Sequence, residues 1–183
     1  MTTLSTRIIT LEGKPRDRGC KYGSIAKVLI HKNIETYQRQ FKRFANLDWE
    51  GVKADMASWI PIIQEYDSEI MDEIHGIAAG AERPVEEIVA LNARYELAIT
   101  PLSRRFGEEC TSFAVTPDAR SSSQVILGQN WDFRSTSKGT CVLLNVKQDG
   151  KPSIVTHVEA GTVAQKGLNS AGLGLCINAL LSN

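Results

Sequence analysis

Residues 106–115 read FGEECTSFAV, and they set a chemical question. Cys110 follows two glutamates, Glu108 and Glu109, and precedes a Thr-Ser-Phe-Ala-Val run. Alternation of β-branched and apolar residues with small polar ones marks that run as the start of a strand. A lone cysteine at such a junction is open to four readings: apolar filler, half of a disulfide, a metal ligand, or a nucleophile. The other cysteines, Cys20, Cys141 and Cys176, are widely scattered and form no C-x-x-C pair. The histidines, His31, His75 and His157, are equally dispersed. Disulfide and zinc chemistry therefore find no spacing to support them.

The nucleophile reading has a definite physical basis. If the peptide bond before a cysteine is cut, the freed α-amino group titrates at about 7.7–8.0 and can take the thiol's proton. A thiol, at about 8.5, is the easiest such group to activate. The same sulfur could attack the preceding carbonyl, that of Glu109, to make the cut. The competing reading is buried filler, because cysteine is among the most buried residue types. Two further polar residues stand where chemistry or structure would use them. Asp132 is the fifth residue of GQNWDF and is either a catalytic aid or a turn residue before RSTSKG. Asn178 interrupts the apolar LCINAL, where a buried amide must find partners; both a site role and a structural role stay open. Glu108 and Glu109 read as solvated linker charges, and Asn169 in NSAG as a turn residue.

The elements that must position these residues divide at about residue 100. Thr6–Glu12 reads as a short strand. Ile25, Val28, Leu29, Tyr37, Phe41 and Phe44 then recur at helical spacing on one face. A second helix starts near Trp49, with Pro61 breaking or restarting it. A third runs through Ser68–Ala79, with Gly80 as its cap. Pro84 opens a fourth, Val85–Ile99. Beyond Thr100-Pro101 the period shifts toward two. Strands are predicted at Thr111–Thr116, Val125–Trp131, Cys141–Lys147, Ser153–Val158 and Leu173–Leu180. PDARSSS, RSTSKG and QDGK mark turns, and Asp149-Gly150 is a hairpin signal. Residues 1–100 thus read as a helical module, 101–109 as a linker and 110–183 as a β-meander.

Composition removes several classes of function. The 183 residues suit one ordinary domain or two small ones. Lysine plus arginine and aspartate plus glutamate both number 21, so no charge excess points to nucleic acid or an anionic membrane. MTTLSTRIITLEG lacks the apolar run of a signal peptide, and no apolar stretch approaches the roughly 20 residues of a transmembrane helix. An intracellular, cytoplasmic protein is the expectation.

Four segments change the weighting when taken in order. CTSF at 110–113, GQNWDF at 128–133, EAG at 159–161 and GLNSAGLGLCINAL at 167–180 resemble the acyl-coenzyme A:6-aminopenicillanic acid acyltransferase family, the C45 peptidase-like group. GCKYGSIAK at 19–27, EIHGIAAGAER at 73–83 and EEIVALNARYE at 86–96 extend the resemblance through the first half. It implies an α+β, N-terminal nucleophile hydrolase fold, an αββα sandwich. On that basis 1–109 would be a helical pro-region and 110–183 the first part of the β-sandwich catalytic subunit. The resemblance implies self-cleavage at the Glu109–Cys110 bond, Cys110 as nucleophile, Asp132 beside the freed amine, and Asn178 as an amide that helps hold substrate. No cofactor or metal is implied; an amide or an acyl-CoA thioester would be the substrate. The two cut halves would stay together as a heterodimer, with no nucleic acid or membrane partner, and a peroxisomal location stays open for the full-length protein.

Three departures accompany the resemblance. Gln129 stands where the more distant bile-salt and penicillin V hydrolases carry arginine. Glu109 stands where glycine often precedes the cysteine. The β-module is shorter than the family's, so the chain reads as C-terminally truncated. Its strands carry apolar residues on both faces, which calls for a covering layer on each side. The alternative to an enzyme is therefore a catalytically silent fragment or binding module without an oxyanion hole.

Overall fold

A computed structural model describes residues 7–97, 110–117 and 123–178. The order of elements is β1 (Arg7–Leu11), α1 (Pro15–Gln40) with a π-helical turn (Phe41–Ala45), α2 (Trp49–Tyr66), α3 (Ser68–Ala81) and α4 (Val85–Asn92). The second half holds β2 (Cys110–Val115), β3 (Ile126–Trp131), β4 (Cys141–Val146), β5 (Ile154–Glu159), β6 (Lys166–Asn169) and β7 (Gly174–Leu175). The chain is a mixed α+β fold. The linker 101–109, the middle of the PDARSSS turn (118–122) and the last residues of the Leu173–Leu180 segment lie outside the described residues.

The helices pack by backbone contact. Gly19 and Gly23 of α1 face Gly76 and Gly80 of α3, each pair four residues apart and so on one stripe. A Cβ on Gly23 would come 2.3 Å from the Ile77 carbonyl oxygen, and one on Gly76 2.2 Å from that of Arg16. Only glycine allows this approach. Gly80 is therefore a packing residue and not the cap that the sequence suggests. The cap is Glu82, in the left-handed region at φ 54°. Asp67 caps the other end of α3, accepting from the Glu69 and Ile70 amides.

The glycine seam also sets the rotation of α1. Tyr22, Ala26, Ile30, Ile34, Tyr37 and Phe41 are buried, whereas Ile25 and Val28 are 41% and 79% exposed. The apolar stripe read from sequence was rotated by about one residue. Helix α2 continues through Pro61, which neither breaks nor restarts it. Pro61 is exposed, so the carbonyl left without its amide partner can be hydrated. The fourth helix ends at Asn92; a further helical turn follows at 94–97.

The main sheet has the order β1-β4-β5-β6-β7. β1 runs parallel to β4, with Arg7 opposite Val142 and Leu11 opposite Val146. A strand of the helical half is thus built into the sheet of the other half. The β4–β5 hairpin turns through Gly150 at φ 69°. Along β4, Val142, Leu144 and Val146 are buried and alternate with half-buried Cys141, Leu143 and Asn145. The buried set shares one core with Ile9, Leu11, Val158 and the helices. β6 escaped the sequence reading because KGLN is four residues long with one apolar member. The last predicted strand shrinks to Gly174–Leu175, with 176–178 running on without ladder pairing.

β2 and β3 form a separate antiparallel pair. This ribbon lies over one end of the sheet face that the helices leave open. The rest of that face stays apolar and exposed, with Ile8 at 67% and Leu168 at 60%.

Candidate active site

The ribbon's register decides where the thiol points. Cys110 pairs with Trp131, Ser112 with Gln129 and Ala114 with Leu127, and cross-strand partners share a face. That face looks onto the main sheet. The Trp131 ring meets His157 edge-on, with centroids 5.5 Å apart. Lys166 Nζ stands 3.3 Å from the Trp131 centroid, a cation–π contact. A Cβ on Gly174 would come 2.8 Å from Leu127 Cδ2. Cys110 therefore opens toward the space between the ribbon and strands β5 and β6.

Two of the three sequence-derived site residues meet directly. Asn178 Nδ2 donates to the Cys110 carbonyl oxygen at 2.7 Å. Asn178 is exposed, so its partner is this backbone oxygen and not an apolar core. Asp132 follows Trp131, which places it one residue beyond the cross-strand neighbour of Cys110; it too is exposed. Glu109 lies outside the described residues, as does the bond to Cys110 on its side.

Gln129 holds this arrangement. Its Nε2 donates to the Ile177 carbonyl oxygen and its Oε1 accepts from the Ile177 amide at 3.2 Å. A side-chain amide thus pairs with both backbone groups of Ile177, the residue next to Asn178. The Cys176 thiol adds a donor contact to Gly128 O at 3.7 Å. Arginine has no acceptor and could not make the second of the Gln129 bonds. The departure at position 129 therefore has a structural use.

The charged surroundings were not legible from sequence. Burial pushes the Lys166 amine down to about 8, while Cys141, Cys110 and Glu159 favour its charged form. Burial, with Glu159 adding, pushes the Cys141 thiol up to about 11; that thiol donates to Ser137 O at 3.7 Å. Burial and the neighbouring Lys166 lower the His157 pKa, and its Nδ1 has no hydrogen-bond partner. No local motif marks Lys166 or His157; the strand pairing that joins them assembles only in the sheet.

Behind the site, Glu159 of the EAG segment is 1% exposed and collects three donors. Arg94 Nε donates at 2.7 Å, Tyr37 Oη at 3.0 Å and Ser137 Oγ at 3.0 Å. A buried carboxylate needs such company. Among the described residues no group of three or more His, Cys, Asp or Glu could hold a metal ion. No helix there is long and apolar enough to cross a membrane.

The arrangement is that of an α+β protein whose helices back one face of a sheet and whose Cys110 heads a strand of the ribbon on the other. No protein-family model matches the chain. It is 34% identical over 173 residues to the acyl-coenzyme A:6-aminopenicillanic-acid-acyltransferase 40 kDa form of Emericella nidulans, covering 94% of this chain and 46% of the relative. It is 32% identical over 106 residues to an N-acylethanolamine-hydrolyzing acid amidase of Caenorhabditis elegans, covering 58% of this chain and 26% of the relative. Over the half that it spans, the chain belongs to the acyl-coenzyme A:6-aminopenicillanic acid acyltransferase family.

Proposed function

We propose that the protein is a self-processing cysteine enzyme of the N-terminal nucleophile class that transfers or hydrolyses acyl groups through a thioester on Cys110. The observation that carries this reading is the meeting of Cys110 with Asn178, 68 residues apart, at the end of the strand pair that also carries Asp132. The relatives' names, an acyltransferase and an amidase, support the acyl chemistry.

Processing would run as follows. Cys110 Sγ attacks the Glu109 carbonyl carbon, and the C–N bond breaks as the nitrogen takes up the thiol's proton. Residue 109 is then a thioester on the sulfur, and the α-amine of Cys110 is free. Water hydrolyses that ester, leaving a carboxylate on Glu109 and a thiol on Cys110. In turnover the α-amine takes the thiol proton and the sulfur attacks the substrate's acyl carbon. The amine or thiol leaving group departs with a proton, and water or an acceptor amine then cleaves the thioester. Asp132 would hold the transient ammonium, and Asn178 would offer its amide hydrogens beside the reacting carbonyl.

The cut halves would remain associated. β1 pairs with β4 across the cut, and Tyr37 and Arg94 bind Glu159 from the other side of it.

Intact mass after expression tests the reading. Two fragments, one ending at Glu109 and one starting at Cys110, are expected, with a single chain for Cys110→Ala. A single wild-type chain whose Cys110 reacts with iodoacetamide no faster than Cys141 would overturn it.

A further inference from the structure

In the proposed self-cleavage one proton has no assigned carrier. Before the cut, the Cys110 nitrogen is an amide and cannot act as the base. The α-amine that takes the thiol proton in turnover exists only afterwards. Yet the thiolate is the attacking species, so the proton must leave sulfur first, and the departing nitrogen must then receive one. Some other group beside Cys110 has to hold it in between.

Lys166 is placed for this. It lies on β6 directly opposite His157 of β5. Its stem reaches toward the ribbon, so that Nζ stands 3.3 Å from the centroid of the Trp131 ring. Trp131 is the cross-strand partner of Cys110, and the side chains of such a pair share a face, with Cβ atoms roughly 5 Å apart. Nζ makes no ion pair among the described residues. The indole face holds the ammonium without a carboxylate that would fix it in the charged form.

The surroundings let this amine exchange its proton near neutral pH. Burial pushes it down to about 8, and the Arg94 guanidinium, from the turn after α4, acts in the same direction. Cys141 of β4, Cys110 of β2 and Glu159 of β5 favour the charged form. An ordinary lysine, at about 10.4, is almost wholly charged there, whereas an amine near 8 is close to an ordinary thiol at about 8.5. Transfer between such a pair costs little. His157 is the competing group, since it meets the same Trp131 ring edge-on. Its titration responds to burial, Lys166 and Glu159; of the two, Lys166 is the one that feels the Cys110 charge.

We infer that Lys166 carries the proton of self-cleavage: its neutral amine takes the Cys110 thiol proton as the sulfur attacks the Glu109 carbonyl carbon, and returns it to the Cys110 nitrogen as the C–N bond breaks. The amine ends as it began, and no further reactant is consumed. This rests on the self-processing reading of Cys110 and supplies a carrier for its one step without a base.

The full chain, held unprocessed in urea at about pH 5 and diluted into buffers of about pH 6 to 10, tests it by time-resolved intact mass. In the wild type, the fragment starting at Cys110 should form faster as pH rises and level off above about 8. Lys166→Ala should slow this by about a hundredfold or more, the worth of a positioned acid–base group. Added methylamine or ethylamine should restore it in proportion to concentration, with the other fragment still ending in a free carboxylate. Lys166→Arg keeps a charge over Trp131 but offers no neutral amine, and should be as slow as Lys166→Ala; it decides alone if the alanine variant does not regain native circular dichroism. Either variant splitting at the wild-type rate, or a folded, slow Lys166→Ala that added amine does not rescue, would overturn the inference and leave self-processing standing. A wild type that never splits would overturn the self-processing reading, and the inference with it.

Discussion

At the scale of single residues, the site depends on matched hydrogen-bonding groups more than on charge. Gln129 accepts from the N–H and donates to the C=O of one residue, Ile177, and so sets Asn178 on the Cys110 carbonyl. Gln129→Arg keeps a donor and loses the acceptor. Losing about 1–1.5 kcal/mol of positioning should slow formation of the fragment that begins at Cys110 by about tenfold. Time-resolved intact mass would measure this, and an unchanged rate would remove Gln129 from the arrangement. Cys141 offers the opposite case. With its thiol pushed up to about 11, only roughly one molecule in a thousand carries the thiolate at pH 8. Peptide mapping after iodoacetamide should find Cys141 nearly unlabelled there, with labelling rising about tenfold per pH unit up to about pH 11. Lys166 gives a signed effect on stability. Its folded pKa of about 8 lies below the ordinary lysine value, near 10.4 unfolded. Between those values the unfolded chain holds the proton and the folded chain does not, so stability gains from this residue as pH rises through the window. Urea midpoints at pH 7.5 and 10 should rise less steeply in Lys166→Met than in the wild type.

At the scale of elements, glycine content separates two kinds of helix. Gly76→Ala puts a methyl group against the Arg16 carbonyl, where only backbone can yield. A cost of about 3 kcal/mol is expected, near the top of the overpacking range. Gly51, exposed within α2, has nothing within 4 Å of an added Cβ, so Gly51→Ala should stabilise by about 0.5–1 kcal/mol. Chemical denaturation would report both signs. These elements also show what was legible beforehand. Strands β2 to β5 fell within a residue or two of their predicted ends, and β4 alternates plainly. The rotation of α1 did not, because a seam of glycines carries no hydrophobic signal and shifts the buried stripe off Ile25 and Val28. For the site, Cys110, Asp132 and Asn178 stand in ordered motifs. Lys166, His157 and the Gln129 clamp arise from pairings between elements distant in sequence, and no local pattern encodes those.

At the scale of the whole molecule, one buried carboxylate joins the two halves. Glu159 on β5 takes Tyr37 from α1 and Arg94 from α4. Glu159→Gln leaves the Arg94 guanidinium buried without its counter-ion, a loss of about 3–5 kcal/mol by urea titration; a change below 1 kcal/mol would show that the pair is dispensable. The open face of the sheet is the molecule's other large-scale property, since Ile8 and Leu168 stand exposed where the helical layer does not reach. The parallel pairing of β1 with β4 has a further meaning in time. The residues it joins are 135 apart in sequence, as are Glu12 and Lys147 just beyond them. A ribosome delivers the first strand long before its neighbour exists, so the sheet's edge closes late and against a large loop entropy. If the chain is then severed at residue 109, that ladder joins two molecules. Refolding would become second order, and the processed protein should recover from denaturant more slowly the more it is diluted, while Cys110→Ala recovers at one rate throughout.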